Sequence, residues 1–201
     1  FHLFVDKVAK QRNSMSGEYF SGIPEYRGQY DTAGKALTRG GTYPYRLITF
    51  KEAFGGHSRT ISNYWSNVAL QPENMLWINR QDASRLGLKP LQKVRLTSPA
   101  QPNGKLAIGD GRTLDMVAKV DVREGILPGT VALSWHYGHW AYGSNDVVVD
   151  GAVIKGDTRR AAGLCPNPLM DVDPILKDVC LTDPVGASAS FFDTYVNVTP
   201  A

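Results

Sequence analysis

Met75-Leu76-Trp77-Ile78-Asn79-Arg80-Gln81-Asp82-Ala83-Ser84-Arg85-Leu86-Gly87-Leu88-Lys89-Pro90 is the stretch from which the fold is read. Residues 75–78 form a short apolar run with the length and bulk of a buried strand. Asn79 carries a side chain suited to an N-cap, and Asp82 falls in the first turn, where negative charge favours a helix. Ala83, Leu86 and Leu88 supply an apolar side. Gly87 stands where a helix ends in the left-handed region, and Pro90 blocks continuation. The pattern predicts a strand over 75–78 and a short helix over 80–86.

Working outward, β-rich runs appear on both sides of this unit. Tyr45-Arg46-Leu47-Ile48-Thr49-Phe50 follows Pro44, and residues 92–98 alternate as a half-exposed strand does. Asn103-Gly104 marks a turn, and residues 113–122 read as a strand with Leu114, Met116, Ala118 and Val120 on one side. Leu127-Pro128-Gly129 turns the chain into residues 130–135, and residues 191–198 form the last clear strand. Six or so strands with one short helix predict a mainly β chain, either a closed barrel or a sandwich. No internal repeat is visible. Residues 1–42 read as an arm, with Tyr19, Phe20, Tyr26 and Tyr30 set among glycines; Leu3, Val5 and Val8 share a helix-like face at its front.

Length and composition fit one domain with an attached strap. The chain has 201 residues with 20 Gly and 12 Pro, a turn-rich balance that argues against a helical bundle. The formal net charge of +3 conceals an uneven spread. Residues 1–60 are basic, whereas residues 161–201 hold Lys177 against five Asp. Cys165 and Cys180 are too few for a zinc framework and read as two separate thiols or one disulfide. No apolar run reaches the roughly 18 residues of a membrane span. The opening Phe1-His2, without an initiator Met or a signal segment, predicts a piece of a longer polypeptide.

Two segments carry chemistry. Residues 51–63 gather Lys51, Arg59, the hydroxyls of Ser58, Thr60 and Ser62, and the amides of Gly55 and Gly56, which together suit an anion cradle. An ordinary solvated loop is the alternative reading. His57-Ser58 does not make a hydrolase, because adjacent residues do not readily form a nucleophile–base hydrogen bond and no acid orients the imidazole. Trp135-His136-Tyr137-Gly138-His139-Trp140-Ala141-Tyr142-Gly143 sets rings and two glycines directly after a strand. Such a segment stacks on a flat heterocycle, or else caps a barrel end. Its two imidazoles lack the further ligands a protein-held metal needs. Dinucleotide G-x-G-x-x-G, P-loop and G-x-S-x-G signatures are absent.

The order of these pieces resembles a known family. Leu47-Ile48-Thr49, His57-Ser58-Arg59-Thr60, Ile78-Asn79-x-x-Asp82-Ala83-x-x-Leu86-Gly87-Leu88, Val94-x-Leu96-x-Ser98, Leu127-Pro128-Gly129-x-Val131, Asn167-x-Leu169 and Asp183-Pro184 follow in series. Over residues 43–199 this is similar to the C-terminal molybdopterin-dinucleotide-binding domain of the dimethyl-sulfoxide-reductase family. Gly138-His139-Trp140-Ala141-Tyr142-Gly143 resembles the branch of tetrathionate, thiosulfate/polysulfide and arsenate reductases.

The resemblance implies a six-stranded double-psi β-barrel over 43–201, preceded by a strap over 1–42 from an earlier domain. It implies a bis-molybdopterin guanine dinucleotide with Mo or W, clamped by this domain and shared with the others. An iron–sulfur cluster belongs only to an earlier domain. Carried over residue by residue, Thr49, Lys51, Glu52, His57, Ser58 and Arg59 fall on a first cofactor loop. Tyr137, Gly138 and His139 fall on a second, Asn167 on a pterin contact, and Phe191 and Phe192 on a last. No catalytic residue and no metal ligand is expected in this stretch, and the piece is expected to be inactive alone. Its partners would be the remaining domains and an iron–sulfur electron-transfer subunit, in a periplasmic or cell-surface enzyme. Two departures stand out: Leu91-Gln92 replaces a frequent Gly-Asp, and Phe192 stands where some members place a Lys. The competing class is a stand-alone β-barrel module binding single-stranded nucleic acid or a protein, for which basic residues mixed with aromatics speak and the acidic tail speaks against.

Overall fold

The computed structural model describes residues 4–201 except 15, 24, 25, 27, 38, 39, 54, 57–59, 61, 62, 70, 110, 142 and 184–187. Six strands close into a barrel: β1 (Tyr45–Phe50), β2 (Met75–Asn79), β3 (Lys93–Thr97), β6 (Val117–Arg123), β7 (Thr130–Ser134) and β10 (Thr194–Pro200). Each lends the interior two alternate residues, as the period of a strand requires. They are Tyr45 and Leu47, Leu76 and Ile78, Val94 and Leu96, Ala118 and Val120, Val131 and Leu133, and Val196 and Val198.

The strand order is β1-β10-β3-β6-β2-β7, with β7 returning to β1. The pairs β1–β7 and β2–β6 are parallel and the other four are antiparallel. Exchanging β1 with β6, β2 with β7 and β3 with β10 leaves this pairing list unchanged, sense included. The barrel therefore has a two-fold topology, the double-psi arrangement, built from two halves that show no sequence repeat.

The two barrel ends differ in what closes them. At the end where β2 stops and β7 starts lies α3 (Arg80–Arg85). The Asn79 side chain caps it, accepting from Gln81 N at 2.8 Å, and donates to Ile126 O at 2.7 Å. Asp82 is more than a first-turn charge. It is 3% exposed, accepts from Gly129 N at 2.7 Å, and takes a 2.7 Å bond from Arg85, thereby fastening helix to turn. Gly87 has φ +65 and ends the helix as expected.

Several boundaries differ from the sequence reading. The run 113–122 is split by buried Met116 into β5 (Arg112–Asp115), which forms a hairpin with β4 (Lys105–Gly109), and barrel strand β6. The last strand begins at Thr194 rather than Phe191, because Leu47 of β1 pairs first with Thr194; Pro200 then pairs with Val94 of β3. A second hairpin, β8 (Val147–Val149) and β9 (Ala152–Ile154), stands in the loop region beyond β7. The helix-like front of the arm is one turn, α1 (Val5–Val8), that buries no residue, too short to be stable without packing. Leu3 lies outside the described residues.

The arm is fastened at one buried acid. Asp173 accepts from Thr32 N at 2.6 Å and Thr32 Oγ1 at 2.7 Å, and also from Ile175 N and Leu176 N. Burial opposes its ionisation, but these hydrogen bonds together hold the carboxyl below its ordinary value.

Candidate functional site

Because β1 and β7 are parallel neighbours, their C-terminal ends deliver two loops to the same end of the barrel, opposite α3. The first loop runs from Lys51 toward α2 (Tyr64–Ala69), and the second from Trp135 onward. The register of β10 against β1 brings the chain in from Phe191 and Phe192 at this end as well. Topology thus gathers three of the segments that the sequence marked.

Within the first loop, Gly55 N donates to Glu52 O at 3.0 Å and Gly56 N donates to Thr60 Oγ1 at 3.1 Å. Asn63 then caps α2, accepting from Trp65 N at 3.1 Å and Ser66 N at 3.3 Å. The two loops meet at Gly55. A Cβ placed there would lie 2.2 Å from Cε1 of His136, so only glycine lets the backbone rest on that ring.

The second loop is held from below. Tyr137 is fully buried, with its hydroxyl donating to Gln71 O at 3.0 Å. Burial first, and the Glu52 charge second, push the phenol up to about 12. Gly138, at φ +71, donates to Ala162 O at 2.9 Å and lies against the 164–165 backbone; a Cβ would come 2.2 Å from Cys165 N. Asn74, 1% exposed, ties this region together. Its amide donates to Ser134 O at 2.6 Å and to Leu164 O at 2.8 Å, and its oxygen accepts from Leu164 N at 2.8 Å.

Polar groups without partners mark the loop junction. Among the described residues, neither ring nitrogen of buried His136 has a hydrogen-bond partner, nor has Nε2 of His139. Both imidazoles are held below the ordinary histidine value. Burial is the main cause for each, and the charges of Lys51 and His139 add to it at His136. They are therefore neutral near pH 7 and offer hydrogen-bonding edges rather than charge. Lys51 supplies a positive charge that acts on His136.

Of the residues marked in the sequence, Thr49, Lys51, Glu52, Tyr137, Gly138 and His139 come together here. Asn167 opens a 3-10 turn (Asn167–Leu169), exposed, one residue after Pro166 and two after the Cys165 that packs on Gly138. Phe191 and Phe192 are exposed. His57, Ser58 and Arg59 lie outside the described residues. Sequence reasoning passed over Asn74, since an Asn before a strand reads as an ordinary turn residue, and it assigned Gly55 to an anion cradle rather than to the contact with the His136 ring. The two cysteines are free thiols, Cys165 buried and Cys180 exposed. Among the described residues no cluster of three or more metal-ligating side chains occurs, and no helix is long and apolar enough to cross a membrane.

The arrangement suits a ligand that joins flat heterocycles to a diphosphate. Neutral buried imidazole edges and close-approach glycines match the rings and Lys51 matches the anion, whereas the Gly55 and Gly56 amides that the sequence offered to a cradle are already bonded to Glu52 O and Thr60 Oγ1.

Comparison with known proteins identifies the family. The family described as "Molydopterin dinucleotide binding domain" matches residues 45–175. A selenate reductase subunit of Mesobacillus selenatarsenatis is 45% identical over 98% of the chain, which covers 18% of that protein. A tetrathionate reductase subunit of Salmonella typhimurium is 29% identical over 83% of the chain and 15% of its own length. The arsenate respiratory reductase molybdopterin-containing subunit of a Shewanella species is 28% identical over 78% and 17%. The chain thus spans less than a fifth of the length of each of these relatives. Among solved structures, acetylene hydratase from Pelobacter acetylenicus superposes with a TM-score of 0.51 at 12% identity, covering 90% of this chain and 22% of that one, a likeness of fold.

Proposed function

This chain belongs to the Molydopterin dinucleotide binding domain family, and from that premise we propose that it is the cofactor-clamping part of an oxyanion-reducing catalytic subunit. The reading extends to a bis-molybdopterin guanine dinucleotide carrying Mo or W, shared with other domains of the same polypeptide. An iron–sulfur cluster in an earlier domain and an iron–sulfur partner subunit complete it, in a periplasmic or cell-surface setting. Resemblance to reductases of selenate, tetrathionate and arsenate favours an oxyanion of selenium, sulfur or arsenic as substrate. When bound, the cofactor supplies the redox chemistry through its metal.

The carrying observation is the delivery of two loops by parallel β1 and β7 to one barrel end, where the charge of Lys51 acts on buried His136. On this reading Lys51 and Arg59 neutralise the diphosphate, with Thr49 and Ser58 donating to it. Gly138 and His139 line the heterocycle, Tyr137 anchors the loop that carries them, and Asn167 contacts a pterin. Glu52, His57, Phe191 and Phe192 complete the cofactor contacts on this reading. The strap over 1–42 packs on the preceding domains. None of these groups takes part in electron transfer; they bind, orient and exclude water.

The test is cofactor retention by the full catalytic subunit. Lys51→Ala, Arg59→Ala and Asn167→Ala are each expected to lower the guanine nucleotide released per protein on acid hydrolysis. Unchanged nucleotide content in all three would remove those assignments.

A further inference from the structure

Between the second loop and the 3-10 turn Thr158–Ala161, the β8–β9 hairpin has a fastened base and bare arms. At the base, Asp146 accepts from Lys155 Nζ at 2.6 Å and from Gly156 N at 3.0 Å. Asp157 N donates to Gly143 O at 2.9 Å, and the Asn145 side chain donates to Trp140 O. A Cβ on Gly156 would lie 2.4 Å from the carbonyl carbon of Asn145, so the two legs touch. These contacts root the hairpin in the loop that carries Tyr137, Gly138 and His139.

The arms do not have the pattern of a surface hairpin. Val147, Val148 and Val149 pair with Ile154, Val153 and Ala152. Paired residues share a face, so Val148 and Val153 lie on one side, and Val147, Ile154, Val149 and Ala152 on the other. A hairpin with one wet face alternates apolar and polar residues, whereas continuous apolar runs suit strands covered on both faces. Here all six side chains are apolar and exposed, Val148 by 70%. Among the described residues β8 and β9 pair only with each other. A lone two-stranded hairpin is marginal in water, and bare apolar edges invite aggregation.

Size, connection and charge select the cover. Three residues at ~3.3 Å each, on two strands ~4.8 Å apart, give a face of roughly 100 Å². A stable interface between separate molecules takes about 800 Å² per partner. A covalently connected partner needs far less, because its effective concentration is already high. This chain covers less than a fifth of each curated relative, so most of such a polypeptide lies outside it. A second copy joined edge to edge would leave both faces bare. A bilayer does not suit a tip that carries the Asp150 carboxylate, on arms where residues 147–154 hold no Lys, Arg or aromatic anchor.

We propose that the β8–β9 hairpin is a tongue that enters a dry apolar slot in the remainder of the same catalytic polypeptide, which covers both of its faces. The assignment rests on the reading of this chain as one part of that subunit. Because the base is bonded to Trp140 O and Gly143 O, the slot also fixes where the second loop stands.

The experiment follows hydrogen exchange over residues 146–155 in the full catalytic polypeptide, isolated as a monomer by size exclusion. Wild type is compared with Val148→Thr/Val153→Thr and with Val147→Thr/Ile154→Thr. Threonine keeps the branched Cβ and the strand preference and adds a hydroxyl, so it disturbs a hairpin in a dry slot and not one in water. Wild type is expected to exchange at least about a hundredfold more slowly than the unfolded-peptide rate, and each variant about tenfold faster than wild type. Wild-type exchange within about threefold of the unfolded-peptide rate overturns the proposal without any variant. A response to one pair alone means a cover on one face and overturns the slot. Protection present only before isolation of the monomer assigns the cover to a separate molecule and overturns the same-chain assignment. Guanine nucleotide content is read on the same samples. An unprotected hairpin in nucleotide-bearing protein overturns the slot and leaves the clamp; a protected hairpin in nucleotide-free protein overturns the clamp and leaves the slot.

Discussion

Asn74→Ala tests whether one buried amide positions the second loop. The substitution strands three groups, Ser134 O, Leu164 O and Leu164 N, all held at 2.6–2.8 Å in the native chain. Each buried orphan costs about 1–3 kcal/mol, but the carbonyls keep a second lone pair and the groups share one cavity. A total of about 3 kcal/mol is expected, which at ~1.4 kcal/mol per decade is a local opening constant raised roughly a hundredfold. Hydrogen exchange of peptides covering 134–138 and 160–170, measured on the full catalytic polypeptide, reads this directly. A change below about threefold, less than 1 kcal/mol, would falsify the view that Asn74 carries the junction. Asn74→Asp adds a sign. The introduced carboxyl faces two carbonyl oxygens in a buried site, so its folded-state pKa lies above its unfolded value. The folded protein then binds more protons, and stability is greatest at low pH and falls as pH rises through the folded pKa. After correction for intrinsic exchange, this variant should be better protected at pH 5 than at pH 8.

Leu91 holds φ +64 although exposed, and it stands where relatives in the resembling family often carry Gly, so Leu91→Gly should raise stability by about 0.5–1 kcal/mol in denaturant unfolding. An unchanged or lower midpoint would contradict the strain. Asp173→Asn removes the charge that four donors share, and limited proteolysis should then cut near residues 31–36 sooner than in wild type. The native contribution of Asp173 is present above the unfolded carboxyl pKa and is lost as pH falls through its depressed folded value, so acid should loosen the strap similarly. In thiol labelling at pH 8, exposed Cys180 should react at once. Cys165, whose thiol burial pushes up, should react only on unfolding; equal rates would refute its burial.

How far the fold was legible depended on the range of the signal. The unit 75–90 was readable because cap, apolar side and stop lie within a few residues of each other. The alternation of β3, and Ala118 and Val120 on one side of β6, were readable for the same reason, while β1 and β7 read only as β-rich and apolar runs. The second duty of Asp82 was not, since Gly129 is 47 positions away. The β8–β9 hairpin had a local signal that went unread: Asp150-Gly151, at φ +50 and +77, sits between β-branched runs as a two-residue turn requires. Asn63 likewise announces α2. Two-fold pairing cannot appear in a sequence whose halves no longer resemble each other, because it is a property of hydrogen-bond partners alone. His136 and His139 look equivalent in the chain; the Gly55 backbone resting on one ring distinguishes them, and no spacing rule contains that contact.

The two-fold exchange of strands has a consequence for how such a domain diversifies. Under it, the first loop corresponds to the short turn 124–129, and the second loop to α3. One member of each pair became a fastening and the other a reader. The Asn79 and Asp82 contacts that hold the fastened end make no demand on residues 51–63 or 136–143. Descendants of this fold can therefore rewrite the reading end for a different occupant while inheriting the locked end intact, a division of labour between poles that a barrel with equivalent ends would lack.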